Sequence, residues 1–343
     1  MIYSRMVRIM AGWNVPSGDI SDSVVFEDEI WTAFNYFFSD SCRKNTTYKY
    51  GFLKSILDNL FSVEPTSRGL ELSFQQLFDK FTENYWNLIL KYNLKQAKVT
   101  SRVKYSGIER IIREAVHQYR LPEFAEYSSL DASLRKKIAQ QVMFVCQENV
   151  VGAVYVDFAG KMYGFSKKEG RIWLNIPFYA FLQKFKLNIE QNNYYAWAKL
   201  LEKYNVGNVT NCLLNKLEDA TPKRHNLSLY RDILRNEFGA VSCFYCHKKL
   251  TDKSQVDHVI PWQMVREDKL WNFVLACPSC NASKNNRIPA KPVIRFVIER
   301  NDIIRTYGSS LQCVAEDFQN YSDDMMVNLW GYAKNGGFQE WQR

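Results

Sequence analysis

Between Cys243 and Arg287 the chain concentrates residue types that can do chemistry. Two Cys-x-x-Cys pairs, Cys243/Cys246 and Cys277/Cys280, stand 30 residues apart. Four thiolates so spaced can close a tetrahedral zinc shell, which leaves no coordination position for water and therefore holds structure rather than reacting. His247, directly after Cys246, is a rival donor that a shell of four thiolates does not need. The gap is longer than that of a simple zinc ribbon, so the loop carries something. Inside it lie Asp257, His258 and Asn272, and just beyond the second pair come Asn281 and Lys284. A neutral imidazole can accept a proton near pH 7. A carboxylate and an amide oxygen can ligate a hard divalent cation. Together these groups could deprotonate an attacking water and neutralise a leaving oxygen, the two demands of a metal-assisted hydrolysis.

The run Asp-His-Val-Ile-Pro at 257–261, followed by Trp-Asn-Phe-Val-Leu-Ala-Cys-Pro-Ser-Cys-Asn-Ala-Ser-Lys at 271–284, resembles the HNH endonuclease family in its four-cysteine, ββα-metal form. His258, Asn272 and Asn281 fall on the three positions for which that family is named. The resemblance covers roughly residues 240–290, about one seventh of the chain, and no family is recognised for the remainder. It implies His258 as general base and Asp257 and Asn281 as oxygen ligands of a catalytic Mg²⁺ or Mn²⁺. Asn272 would tie down the loop that presents His258, Lys284 would contact phosphate, and Cys243, Cys246, Cys277 and Cys280 would hold a structural Zn²⁺. Many relatives carry His where this chain has Asn281; the amide favours a harder metal. The resemblance further implies DNA as the substrate, nicked or cut through both strands. The setting would be prokaryotic restriction or anti-phage defence, with protein partners from such a system. Two other readings use the same residues: an RNA-cleaving HNH nuclease, and a non-catalytic zinc-stapled module that binds nucleic acid.

The whole chain has 343 residues and a net charge of +9, with 46% apolar residues, enough for real cores in one large or several ordinary domains. The charge divides as +7 over residues 1–242, +5 over 243–300 and −3 over 301–343. A basic body with an acidic tail suits a polyanionic partner. Lys95, Lys98, Arg102 and Lys104 form a run that, with Lys91, has no acidic residue between positions 91 and 104. It would suit phosphate contacts, and equally a solvated linker. Cys42, Cys146, Cys212 and Cys313 are scattered rather than paired, which fits a reducing cytoplasm. Met1 to Trp13 contains no sustained apolar run, so it does not read as a signal peptide. No apolar stretch approaches the ~18 residues of a membrane span.

The elements that must position the site predict an α+β chain. Its body is mainly helical with a small β element, and a zinc-stapled ββα-metal module follows near the C-terminus. Four regions are expected: a helical region 1–130 for DNA or partner recognition, a mixed α/β region 131–239, the HNH module 240–300 and an acidic helical tail 301–343. Phe74, Leu77, Phe78, Phe81, Tyr85 and Leu88 recur at helical spacing after a Ser73–Gln76 capping pattern, and such aromatic stripes predict core. A helix is expected over 133–146. From Val151 to Phe158 the apolar residues alternate loosely and predict a strand, returning through Ala159-Gly160 as 161–165, with a third strand at 171–176. Further helices are expected over 178–187, 193–204 and 227–238, the last stopped by Gly239. Gly336-Gly337 suggests a loose terminus.

Overall fold

A computed structural model describes residues 15–21, 24–100, 104–122, 124–220, 227–308 and 311–342. The chain is mostly helical with small sheets, and it divides into two compact units: residues 1–182 with 188–223, and residues 183–187 with 224–343.

In the first unit, helices α1 (Glu27–Phe38), α2 (Tyr48–Asp58), α3 (Phe74–Leu90), α4 (Gly107–Gln118) and α5 (Ala132–Asp157) pack on aromatic side chains. Helix α6 (Ile176–Tyr204) bends at Phe185, whose φ/ψ of −110°/21° leave the helical region, and α7 (Leu213–Asp219) follows. Phe34, Phe52, Phe74, Phe78, Phe81 and Tyr85 are fully or almost fully buried, as their helical periodicity demands. The Ser73 hydroxyl accepts from Gln76 N–H and the Gln76 side chain accepts from Ser73 N–H, so α3 starts with the expected reciprocal cap.

The sheet of this unit differs from the expectation. Strands β1 (Ser17–Gly18), β2 (Glu64–Thr66), β3 (Gly69–Ser73), β4 (Tyr163–Ser166) and β5 (Arg171–Leu174) form one antiparallel sheet in the order β1-β4-β5-β3-β2. Strands from before and after residue 130 interleave in it, so the line expected at 130 is not a structural boundary. Val151–Phe158 is not a strand. It is the last part of the 26-residue helix α5, which ends at Asp157 and is capped at Phe158. Val150, Val151, Val154 and Phe158 are buried, and their spacing of three and four gives a helical stripe. Packing of that stripe overrides the strand preference of β-branched residues.

The second unit holds the cysteine-rich loop. Helix α8 (Ser228–Asp232) continues as one wide turn over Ile233–Glu237, and Gly239 reverses the chain at φ +61°. Strand β6 (Gln255–His258) pairs antiparallel with β7 (Phe273–Ala276), Asp257 opposite Val274 and His258 opposite Phe273. A short helix α9 (Trp262–Val265) lies between them, and α10 (Pro278–Lys284) follows β7 with Pro278 in its first turn. Helices α11 (Val293–Tyr307), α12 (Gln312–Phe318) and α13 (Asp323–Asn335) complete the unit. Helix α11 runs through residue 300, so the expected tail is built into this unit. Glu340 and Trp341, after Gly336-Gly337, are tied rather than loose. Strand β9 (Glu340–Trp341) pairs in parallel with β8 (Ile288–Pro289), and Trp341 Nε1 donates to Ser283 Oγ at 3.1 Å.

Candidate active site

The four cysteines of the loop converge. Their Sγ atoms all lie within 4.8 Å of one another, and Cys246 Sγ is 3.8 Å from Cys277 Sγ. Tetrahedral zinc with Zn–S bonds of about 2.3 Å requires S···S edges of about 3.8 Å, so the cluster fits a structural zinc. The turn that presents Cys243 and Cys246 closes on itself: Cys243 N–H donates to Lys248 O and His247 N–H to Cys243 O, both at 2.8 Å. Cys277 N–H donates to Cys243 Sγ at 3.3 Å, which favours the thiolate. A main-chain hydrogen bond at Lys248 brings the Cys246 thiol down to about 7, whereas burial among sulfurs raises Cys280. His247 is exposed and is not one of the clustered donors.

Strand alternation sets the two faces of β6. Gln255 and Asp257 share one face, and His258 projects to the other. Asn281 and Lys284, three apart on α10, meet the first face. Asn281 Nδ2 donates to Gln255 Oε1 at 2.8 Å, and Lys284 Nζ lies 3.1 Å from Asp257 Oδ2. Holding the amide nitrogen of Asn281 on Gln255 leaves its Oδ1 as the end suited to a hard cation. Asp257 is 5% exposed and accepts from Tyr245 Oη at 2.6 Å. Burial and the Asp257 charge push the Tyr245 phenol well above its usual range, so it stays a donor.

Lys284 is fully buried, with Nζ donating to His258 O at 2.6 Å and paired to Asp257. The phosphate contact expected of it does not hold, because its position on the inner face of α10 turns the ammonium onto β6 rather than to solvent. His258, also 5% exposed, sets its ring edge-on to Phe273 and places Nε2 3.0 Å from Asp268 Oδ1. Asn272 is completely buried. Its Oδ1 accepts from Ile260 N–H at 2.8 Å, its Nδ2 donates to Ile260 O at 2.9 Å, and its carbonyl accepts from Val259 N–H at 2.8 Å. The residues directly after His258 are thereby pinned to the entry of β7. From α11, Arg300 donates to the carbonyls of Leu270, Trp271 and Phe273, and Asn301 Nδ2 to that of Trp271 at 2.9 Å.

Sequence reading missed Asp268, Tyr245, Gln255 and Arg300. Only Asp268 carried a usable signal, as a carboxylate within the Cys loop ten residues after the imidazole. Beside it Asp317 accepts from Leu270 N–H at 2.7 Å, and burial pushes its carboxyl up to about 6.

The basic run lies in the first unit. Lys91 pairs with Asp219 at 2.6 Å, and Lys95 lies 3.6 Å from Glu109 and 4.0 Å from the Tyr105 ring centre. The fold brings acidic partners from distant positions to lysines that have none nearby in sequence. Lys98 and Lys104 are exposed, and Arg102 lies outside the described residues.

Residues 243–287 match the family model for HNH endonuclease, so the chain carries an HNH endonuclease domain near its C-terminus. Domains of this family act on nucleic acid and are in general hydrolytic nucleases. No curated protein and no solved structure matches the chain. Among the described residues no helix is long and apolar enough to cross a membrane.

Proposed function

We propose that this chain is a metal-dependent DNA endonuclease. The observation that carries the reading is the pairing of His258 Nε2 with Asp268 Oδ1, at the strand end where Asp257 of β6 and Asn281 Oδ1 of α10 are oxygen donors. With Nε2–H donating its hydrogen bond to the Asp268 carboxylate, the lone pair of the neutral imidazole stands on Nδ1. His258 Nδ1 then takes the proton of a water as its oxygen attacks phosphorus. The P–O3′ bond breaks, and the leaving oxygen is protonated from solvent. Asp257 and Asn281 would hold a Mg²⁺ or Mn²⁺ ion, which when bound supplies the charge that stabilises the departing 3′ oxygen. Asn272, with Arg300 from outside the loop, keeps His258 in place, and the zinc staple holds the β6–β7 hairpin to α10.

DNA is preferred over RNA, and restriction or anti-phage defence is preferred as the setting, by analogy with the family; the +9 charge supports a polyanionic substrate. The test is incubation of zinc-loaded protein with supercoiled plasmid and, in parallel, with RNA, each with EDTA, Mg²⁺ or Mn²⁺. Metal-dependent conversion of plasmid to nicked or linear form is expected. RNA cleavage alone would move the substrate to RNA. Retained DNA binding without cleavage under any metal would leave a binding module.

A further inference from the structure

Beside the β6–β7 hairpin the second unit holds a cavity of about 600 Å³, within the size range of small-molecule sites. Its walls are chiefly apolar: Leu234, Phe238, Phe244, Leu275, Val293 and Phe296. Phe296 is 53% exposed at its mouth. One charged side chain lines it, Arg300. That guanidinium spends its terminal nitrogens on main-chain carbonyls, and its Nε, shielded from solvent, has no acceptor. No carboxylate among the described residues pairs with it. A buried cation held only by neutral carbonyls is under-compensated, and an anion at its side would offset that cost.

We propose that this cavity binds a small aromatic carboxylate, its ring seated among the phenylalanines and its carboxylate turned to Arg300. Charge complementarity decides the class: a neutral apolar occupant leaves the charge of Arg300 as it is, and a cation adds repulsion. Two walls connect the cavity to the chemistry. Tyr245 lines it and donates to Asp257. Arg300 holds the carbonyls on either side of Asn272. An occupant therefore touches both the residue that fixes Asp257 and the clamp on the loop after His258.

The test uses the full, zinc-loaded chain and isothermal titration with 2-naphthoate, against its neutral counterpart 2-naphthalenemethanol. One site per chain is expected for naphthoate, with the alcohol bound at least about 10-fold more weakly, the scale of one charge-assisted hydrogen bond. Arg300 is left intact because its loss would also release the loop. Val293→Trp instead fills the cavity, and Phe296→Glu places a like charge at the exposed mouth. Each should weaken naphthoate by at least about 10-fold while zinc content and Tm stay as in the parent. Absence of naphthoate binding, equal binding of the alcohol, or parental affinity in Val293→Trp would overturn the proposal.

Plasmid cleavage is a second readout and rests on the nuclease reading. Saturating naphthoate should alter the cleavage rate of the parent and leave that of Phe296→Glu unchanged. A chain that binds naphthoate yet cleaves nothing overturns the nuclease reading and leaves the site standing. Cleavage indifferent to bound naphthoate overturns the connection through Tyr245 and Arg300.

Discussion

Replacing Asp268 by Asn isolates what the carboxylate does for His258. The change keeps the shape of the side chain and leaves the Asp268 carbonyl, which accepts from Tyr230 Oη at 3.1 Å, untouched. At 3.0 Å from His258 Nε2, a carboxylate can only accept, so it selects the tautomer with its lone pair on Nδ1. An amide can instead present its NH₂ group to Nε2, which moves the ring proton to Nδ1 and removes the base from the side facing the water. A positioned general base contributes ~10²–10⁴ in rate, equivalent to about 3–5 kcal/mol of barrier. His258→Ala should lose that whole factor, and Asp268→Asn at least about 10² of it. Because Asp268 acts through His258, the double variant should be no slower than His258→Ala alone, a wholly non-additive pair. The assay is single-turnover nicking of supercoiled plasmid at saturating Mg²⁺, with zinc content and thermal unfolding recorded for each variant. A folded, zinc-loaded Asp268→Asn protein that cleaves within about 3-fold of the parent, well short of a lost general base, would refute the reasoning. So would a double variant markedly slower than His258→Ala, since Asp268 would then act on something else.

Four further outcomes follow from the geometry. Cys243→Ser or Cys280→Ser should abolish folding of the second unit, while the parent holds about one zinc per chain by metal analysis; well-folded parent protein without zinc would contradict the staple. Lys284→Met leaves Asp257 buried without its cation and should cost about 3–5 kcal/mol in denaturant unfolding, with Mg²⁺ or Mn²⁺ restoring more stability to the variant than it adds to the parent; equal metal effects would show that the ammonium and the metal do not share Asp257. The Asp317 carboxyl, raised from 3.8 to about 6 by burial, stays protonated in the fold while the unfolded chain ionises. Its contribution therefore falls as pH rises from about 4 to about 6 and is flat above, by an amount on the order of 3 kcal/mol. Asp317→Asn should remove that fall, read as the difference between the two stability–pH curves, and parallel curves would sink it. In the first unit, Lys98→Ala with Lys104→Ala should weaken DNA binding and reduce its salt slope by about one per lost phosphate contact, whereas an unchanged slope would assign both to ordinary solvated surface.

The tight local patterns of this chain are legible without coordinates. Two Cys-x-x-Cys pairs can satisfy one metal wherever the surrounding chain goes, because each pair is a short turn whose geometry is set within four residues. Ser73 with Gln76, and the aromatic stripe after them, define a helix for the same reason: cap and period are written in neighbouring positions. Asp257, His258 and Asn272 are visible as a group because the zinc loop brackets them, and Asn281 because it follows the second Cys pair directly. What the sequence alone leaves open depends on partners distant along the chain. Val151–Phe158 carries a period loose enough for strand or helix, and only burial of Val150, Val151, Val154 and Phe158 on one side chooses the helix. Lys284 reads as a surface cation until α10 lies against β6 and turns its ammonium onto Asp257. Lys91 and Lys95 read as unpaired until the fold delivers Asp219 and Glu109. Spacing along the chain determines which groups can act together at short range; the charge state, exposure and direction of each side chain depend on what tertiary packing sets within a few ångströms of it, and that information is not local.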